Sequence, residues 1–474
     1  MKRKKGKKFM IFLSVLLLLL IVPFLYSLQT KNPLGTGYNS GLFLADQVEF
    51  FQDLSYEKEG EIQREHEIFK EQIKMIEEAQ KFLLLDIFLY NDEYDREKME
   101  YPAQVKEMTD VLIQKKKDNP EMPIVFITDP INNFYGAYEQ KHLTRLKEAG
   151  IEVHVTDHNK MKDSNPLFSG LYRGYIQWFG TSGKGWIPNF FDKEGPKVNL
   201  RSILKLANFK GNHRKVMVSD NVGFVSSSNP HDPSGYHSNV AIKFNGTAVE
   251  KLLESELILL EKVPEAMTNY RAQQIIEAYD FVTILTEEAI EKSLIQHIKE
   301  SEKGNQIWVG AFYISDFDIL KALGEAADRG VDVKIVADLN KDAFGIEKNG
   351  TPNRPALTEL VEKHPTIQVR WYNTHGEQYH TKMMYFQREK GLNNTAILGS
   401  GNFTRRNLKG YNLETNVELT MEEGILDQDI QNYFEKIWNN QGGEYTLPME
   451  EYKEENSFLR ILWKIQEKTG LCTW

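Results

Sequence analysis

The chain is 474 residues long with 41% apolar and 27% charged side chains, the proportions of a folded globular protein and not of a disordered or fibrous one. Its 58 basic residues are outnumbered by 68 acidic ones, and its single cysteine, Cys472, excludes an intrachain disulfide and a cysteine-built zinc site. Length alone allows about two to four domains.

From the N-terminus, six basic residues (Lys2, Arg3, Lys4, Lys5, Lys7, Lys8) precede residues 9–28, in which only Ser14 and Ser27 are strongly polar. At about 1.5 Å per residue, a helix of that length crosses a hydrocarbon core of roughly 30 Å. The apolar run is longer than a typical signal-peptide core, no small-x-small cleavage site follows in residues 26–30, and no lipidation cysteine follows either. The expectation is an uncleaved single-pass membrane anchor with a cytoplasmic N-terminus and an extracytoplasmic body. Beyond Lys8, 52 basic side chains face 68 acidic ones, a net of −16 that repels polyanions and argues against nucleic acid as a partner.

The remainder reads as two similar halves. Residues 61–82 carry a helical stripe (Phe69, Ile73, Ile76, Ala79) that leads into the apolar run 82–90, and residues 286–300 (Ile290, Leu294, Ile298) lead into 306–314 in the same order. Strands 123–129 and 331–338 both end in aspartate, Asp129 and Asp338; strands 151–155 and 367–371 follow, with helices near 138–149 and 355–363 between. Alternating strands and helices predict an α/β fold with a largely parallel sheet, and a repeat of about 200 residues predicts duplicated domains. The expected division is residues 1–38 as tail, anchor and linker, 39–265 as the first domain and 266–474 as the second with its C-terminal tail.

The interval from Asp129 to His213 is 84 residues, against 42 from Asp338 to His380, so the first half holds an insertion near 160–209. Within it, residues 168–191 carry eleven large apolar side chains, among them Phe168, Tyr175, Trp178, Trp186 and Phe191, interspersed with glycines. It reads either as a packed lid or as a surface meeting the membrane boundary, where Trp and Tyr are favoured.

The two halves also share a pattern that carries chemistry. His213-Arg214-Lys215 opens one β-like run and His380-Thr381-Lys382 another, and each is followed by a small-residue turn with asparagine, ending at Asn229 and Asn402. On a strand, residues two apart share a face, so each histidine aligns with its lysine. His66, His142, His154, His158, His297, His364 and His375 lie on polar or mixed stretches without evident partners, and the loop holding His231, Asp232 and His237 lacks metal-ligand spacing.

These paired motifs resemble those of the phospholipase D superfamily, His-x-Lys-x4-Asp followed by Gly-Ser-x-Asn once per half, and the overall likeness is nearest to its bacterial cardiolipin synthase-like branch. The first motif runs through Asp220, but serines replace the glycine-serine pair (Ser226, Ser227); the second keeps Gly399, Ser400 and Asn402 but has Gln387 in place of aspartate. The resemblance implies a downstream acidic residue that orients the histidine of the opposite half. Glu414 fits after the second motif; after the first, the position is Asn239, or His237 in a shifted alignment.

The resemblance further implies pseudo-twofold symmetry, with His213 and His380 facing each other across one cleft. Displacement at a phosphodiester needs cations and donors on the non-bridging oxygens, which Lys215, Lys382, Asn229 and Asn402 can supply. One imidazole can attack phosphorus while the other protonates the leaving alkoxide, with no metal or other cofactor required. With Glu414 beside it, His213 is expected as nucleophile and His380 as acid and then base; coupling within the cluster leaves the reverse assignment open. The expected substrate is a phosphatidylglycerol-like phospholipid with an alcohol or water as acceptor. An extracytoplasmic phosphodiesterase or nuclease, and a catalytically weak lipid-binding protein, are the alternatives.

Overall fold

The computed structural model describes residues 2–97, 99–273, 275, 280–343, 346–472 and 474. Strands β1 (Phe43–Lys58), β2 (Glu61–Glu65), β3 (Leu83–Ile87), β4 (Ile124–Thr128), β5 (Glu152–Val155), β6 (Lys215–Ser219), β7 (Gly223–Ser226) and β8 (Asn239–Asn245) form the first half. The second half holds β9 (Asp280–Thr286), β10 (Gln306–Ala311), β11 (Asp332–Asp338), the small hairpin β12 (Asp342–Ala343) and β13 (Ile346–Glu347), β14 (Gln368–Tyr372), β15 (Lys382–Gln387), β16 (Asn394–Gly399), β17 (Thr415–Met421) and β18 (Thr446–Pro448). Outward from the middle, the strand order is β1-β8-β7-β6-β3-β4-β5 in one direction and β9-β17-β16-β15-β10-β11-β14-β18 in the other. The orders match strand for strand, β18 excepted, so the repeat extends to topology.

Strand β1 joins the halves. Phe43, Leu44 and Ala45 pair with β9; after a register shift between Asp46 and Glu49, residues Glu49 to Asp53 pair with β8. The halves thereby share one continuous 16-stranded sheet.

The sheet is mixed and mainly antiparallel, not largely parallel as the alternation predicts. Among the described strands, parallel ladders are confined to β3–β4–β5 and β10–β11–β14, the strands joined by helical crossovers. The histidine-bearing strands β6 and β15 enter antiparallel to β3 and β10, and from there tight turns and loops replace crossovers. A second difference concerns residues 61–82, where the expected helix starts late. Glu59 and Gly60 have φ of 54° and 83°, a hairpin turn that folds β2 back onto β1.

Helix α1 (Lys2–Leu28) precedes the halves. In the first half lie α2 (Ile68–Glu78), α3 (Gln104–Asp118), α4 (Lys141–Glu148), α5 (Pro166–Leu171), α6 (Leu200–Leu206), α7 (Thr247–Leu257) and α8 (Glu265–Thr268). In the second lie α9 (Glu288–Glu300), α10 (Phe317–Asp328), α11 (Asn353–Lys363), α12 (Arg405–Leu408), α13 (Ile425–Trp438) and α14 (Ser457–Thr469). Helices α2, α3, α4 and α7 stand at the chain positions of α9, α10, α11 and α13. Ile68, Met75, Val105, Met108 and Leu112 cover the outer face of the sheet in the first half, and Ile290, Leu294, Ile319, Leu323 and Leu357 in the second. Side chains of both halves, including Val216, Ile242, Val282, Ile284 and Val417, merge in a common core between them.

The insertion packs against the C-terminal half of α1. Ser27 Oγ donates to Asp163 Oδ2 at 2.7 Å, and Tyr175 Oη to the Leu19 carbonyl at 2.7 Å. A Cβ on Gly170 would lie 2.5 Å from the Pro23 carbonyl oxygen, so the glycine permits the approach of α5 to α1.

Candidate functional site

Both histidines sit just before their strands, at the seam between the halves. Asn212 bridges Leu413 and Tyr379 bridges Ser238 in matching parallel contacts, and the His213 and His380 amides donate to the Leu413 and Ser238 carbonyls, each at 2.8 Å. Each half thus presents its histidine beside the segment that leads into β17 or β8 of the other. The aspartates ending β4 and β11 hold these segments: Asp129 Oδ2 accepts from the Asn212 amide and Asp338 Oδ2 from the Tyr379 amide, both at 2.7 Å.

His213 Nδ1 lies 2.9 Å from Glu414 Oε2, which also accepts from Ser400 Oγ at 2.5 Å; Asn407 Nδ2 donates to Glu414 Oε1. The counterpart in the other half is Asn239, whose Oδ1 lies 3.1 Å from His380 Nδ1 and accepts from Ser227 Oγ at 3.0 Å. Asn239 Nδ2 donates to the His237 carbonyl, fixing the amide so that its oxygen faces His380. The position opposite His380 is therefore Asn239 and not His237, whose ring is 5.7 Å from that of His380. Because both partners present an acceptor, both imidazoles carry hydrogen on Nδ1 and leave Nε2 for chemistry.

The lysines follow the same symmetry. Lys215 Nζ donates to the His213 carbonyl at 2.6 Å and Lys382 Nζ to the His380 carbonyl at 2.5 Å. Phe88 and Phe312, one residue past β3 and β10, wall the two sides: their rings are 4.6 and 4.8 Å from His213 and His380, and 5.2 and 4.9 Å from the two ammonium groups. Asn229 Oδ1 accepts from the Leu89 amide at 3.3 Å, whereas the buried Asn402 Oδ1 has no hydrogen-bond partner among the described residues. Asp220 and Gln387 lie at the far ends of β6 and β15. Asp220 Oδ1 accepts from the Gln80 and Lys81 amides, and Gln387 contacts Gln431 of α13, so the exchange of aspartate for glutamine falls outside the histidine cluster.

Burial sets the electrostatics. It lowers His213 to about 4 despite the opposing pull of Glu414, and Lys215 to about 7; His380 and Lys382 fall well below their ordinary values through burial and mutual repulsion with the other cations. Burial alone would raise Glu414, but His213 and Lys215 outweigh it and keep the carboxylate ionised. Beneath Glu414 lies a buried ionic layer in which Arg214 contacts Glu256 and Glu287, and Glu287 Oε1 accepts the Glu414 amide at 3.1 Å. Beneath Asn239 the layer is phenolic: Ser238 Oγ meets Tyr372, which stacks on Tyr379, which meets Tyr433.

Such a cluster should take up a proton when it binds an anion, because the anion favours the charged forms. With free Lys215 near 7, tungstate affinity is expected to fall by up to about tenfold per pH unit from neutral pH upward. Calorimetry in buffers of different ionisation heat checks this; an uptake of zero protons contradicts it.

Several site residues went unassigned in the sequence. His158, set aside there for want of a partner, is buried with Nε2 2.8 Å from Asp129 Oδ2, behind the Asn212 segment. The aspartates at the ends of β4 and β11 were visible as a repeat, and Phe88 and Phe312 stand at equivalent places after the first strand of each half. Nothing in the local sequence marks Cys472 and Trp474, which cluster with Phe312 and Tyr313.

Residues 294–438 match the family model for the cardiolipin synthase, phospholipase D-like domain. No curated protein sequence matches the chain. Among solved structures, phosphatidylserine synthase from Haemophilus influenzae is similar over 90% of this chain and 94% of that one, at 12% identity and a TM-score of 0.57. Polyphosphate kinase from Porphyromonas gingivalis (10% identity, 89% of this chain, 56% of that chain, TM-score 0.46) and the phospholipase D family member Nuc from Salmonella typhimurium (21% identity, 36% of this chain, 99% of that chain, TM-score 0.28) are also similar over the parts covered. At 12% identity the first likeness speaks to the fold alone. Residues 294–438 are thus similar to the phospholipase D-like domain of that family, and the chain shows a duplicated α/β fold preceded by one helix long and apolar enough to cross a membrane.

Proposed function

We propose that the protein is a membrane-anchored phosphodiesterase or phosphatidyltransferase acting on phospholipid through a phosphohistidine, with cardiolipin synthesis from phosphatidylglycerol as the specific version. The observation that carries the reading is the pairing of His213 with Glu414 and of His380 with Asn239 across the two halves. Glu414 holds the Nδ1 proton of His213, so Nε2 attacks phosphorus and the carboxylate balances the charge of the phosphoimidazole. As the bond from phosphorus to the leaving oxygen breaks, His380 Nε2 gives its proton to that alkoxide. His380 then takes the proton of the incoming alcohol or water, whose oxygen displaces His213 from phosphorus. Lys215, Lys382, Asn229 and Asn402 neutralise the non-bridging oxygens, and the substrate anion offsets the burial that depresses His380. The domain division at residues 39–265 and 266–474 belongs to the same reading.

The lipid assignment is supported by the anchor and by the insertion docked on it. Residues 7–28 are long and apolar enough to cross a bilayer, and within the insertion Trp178 and Trp186 are 76% and 68% exposed while Tyr172 is buried. The insertion is thus packed on one side and apolar on the other, a surface suited to an interface. Incubating the purified protein with phosphatidylglycerol vesicles and identifying products by mass spectrometry tests the reaction: cardiolipin and glycerol mark transfer, phosphatidic acid marks hydrolysis, and unchanged lipid rejects both.

The W178A/W186A double variant should lose turnover of vesicle lipid severalfold while retaining cleavage of a water-soluble phosphodiester. Equal losses on the two substrates would make the insertion a packed lid.

A further inference from the structure

Helix α14 has an inner and an outer face, and the outer one is apolar. Inward, Trp463 is buried with its ring 5.3 Å from Phe317, and Glu467 accepts from Ser315 Oγ and the Arg405 amide. One flank is charged and paired: Arg460 with Glu362, Lys464 with Glu359. Outward lie Phe458, Ile461 and Ile465, 66%, 59% and 53% exposed, at the i, i+3, i+7 spacing of a single helical stripe.

The end of α14 lies beside the seat of the anchor. A Cβ on Gly470 would stand 2.5 Å from the Ser164 carbonyl oxygen, and the neighbouring Asp163 is the residue that accepts from Ser27 of α1. Exposed Leu471 follows Gly470 on one side of this contact, and exposed Leu167 follows Ser164 on the other. The stripe therefore runs back toward exposed apolar side chains of the insertion, and a helix of thirteen residues spans only about 20 Å from that seat.

We propose that α14 lies in the lipid interface as a second contact of the body, its Phe458, Ile461 and Ile465 stripe facing the bilayer that holds α1. The occupant is lipid because the stripe lies within one short helix of the point where α1 docks on the body, with exposed Leu167 and Leu471 beside that point, whereas the charged flank is already satisfied within the chain. The contact also reaches the cleft: past Gly470 the chain carries Cys472 and Trp474 onto Phe312 and Tyr313, the wall beside His380. The inference rests on the membrane-anchored reading above.

The test uses spin labels on the full chain in phosphatidylglycerol-containing nanodiscs, at Ile461→Cys, Ile465→Cys, Lys464→Cys and, as a reference in the anchor, Leu17→Cys. Native Cys472 is buried and its thiol pushed up to about 11, so the unsubstituted protein serves as the blank. Positions 461 and 465 are expected to be relaxed preferentially by oxygen, as position 17 is, and position 464 by an aqueous nickel chelate. If 461 and 465 follow 464 while 17 remains oxygen-favoured, the proposal falls and the anchor stands. Protection of the stripe from both reagents with a larger particle would assign it to a second protein copy and overturn the lipid contact. An anchor label relaxed by nickel would remove the membrane reading itself. The F458S/I461S/I465S variant should turn over bilayer lipid severalfold more slowly with no change on a soluble phosphodiester; unchanged lipid turnover would confine the contact to a passive role and remove its link to the cleft.

Discussion

His213→Ala is expected to abolish turnover and the acid-labile phosphoenzyme together, whereas His380→Ala should still form the phosphoenzyme from a substrate with a good leaving group. The difference follows from their partners. His213 faces a carboxylate held by Ser400 and Asn407, so charge developing on its ring is balanced, while His380 faces a neutral amide. Loss of a general acid typically costs about 10²- to 10⁴-fold, and an activated leaving group that needs no proton recovers most of it. Rapid-quench labelling with a nitrophenyl phosphodiester reads both variants. Phosphate trapped on His380 in the His213 variant would exchange the two roles.

Glu414→Gln is expected to be nearly as damaging as removing the nucleophile, with a loss on the order of 10⁴-fold by analogy with the aspartate of serine-protease triads. An amide can turn its nitrogen toward His213 and favour the wrong tautomer, and it no longer balances the imidazolium. Asn239→Asp is the informative converse. A carboxylate there would raise the His380 pKa, which burial and Lys382 now hold well below the ordinary imidazole value. The acidic form would then persist to higher pH, so the limb of the rate profile governed by this acid should shift alkaline while the Glu414 variant shows no such shift. A pH profile of kcat for the two variants decides the matter; an unshifted limb in the Asn239 variant would mean that the acid is not His380.

The fold was legible where period and length agree. The apolar runs at 82–90 and 306–314 became β3 and β10, and the helical stripes ahead of them became α2 and α9. The antiparallel entry of β6 and β15 was not legible, because pairing direction depends on which strand lies alongside and leaves no local trace. The histidines, lysines and asparagines of the motifs stood out because they recur. Glu414 and Asn239 were reached through the resemblance and not through periodicity. The ionic layer of Arg214, Glu256 and Glu287 was hidden, because its members are distant in sequence and each reads alone as a surface charge.

The crossed pairing of each histidine with the opposite half bears on how the two sides came to differ. In a dimer of identical subunits, replacing a carboxylate strips both histidines of it at once, because a single gene supplies both copies. Fusion removes that constraint: here the residue beside His380 is an amide while the residue beside His213 keeps its carboxylate. A duplicated chain can therefore specialise one histidine for bonding to phosphorus and the other for proton transfer.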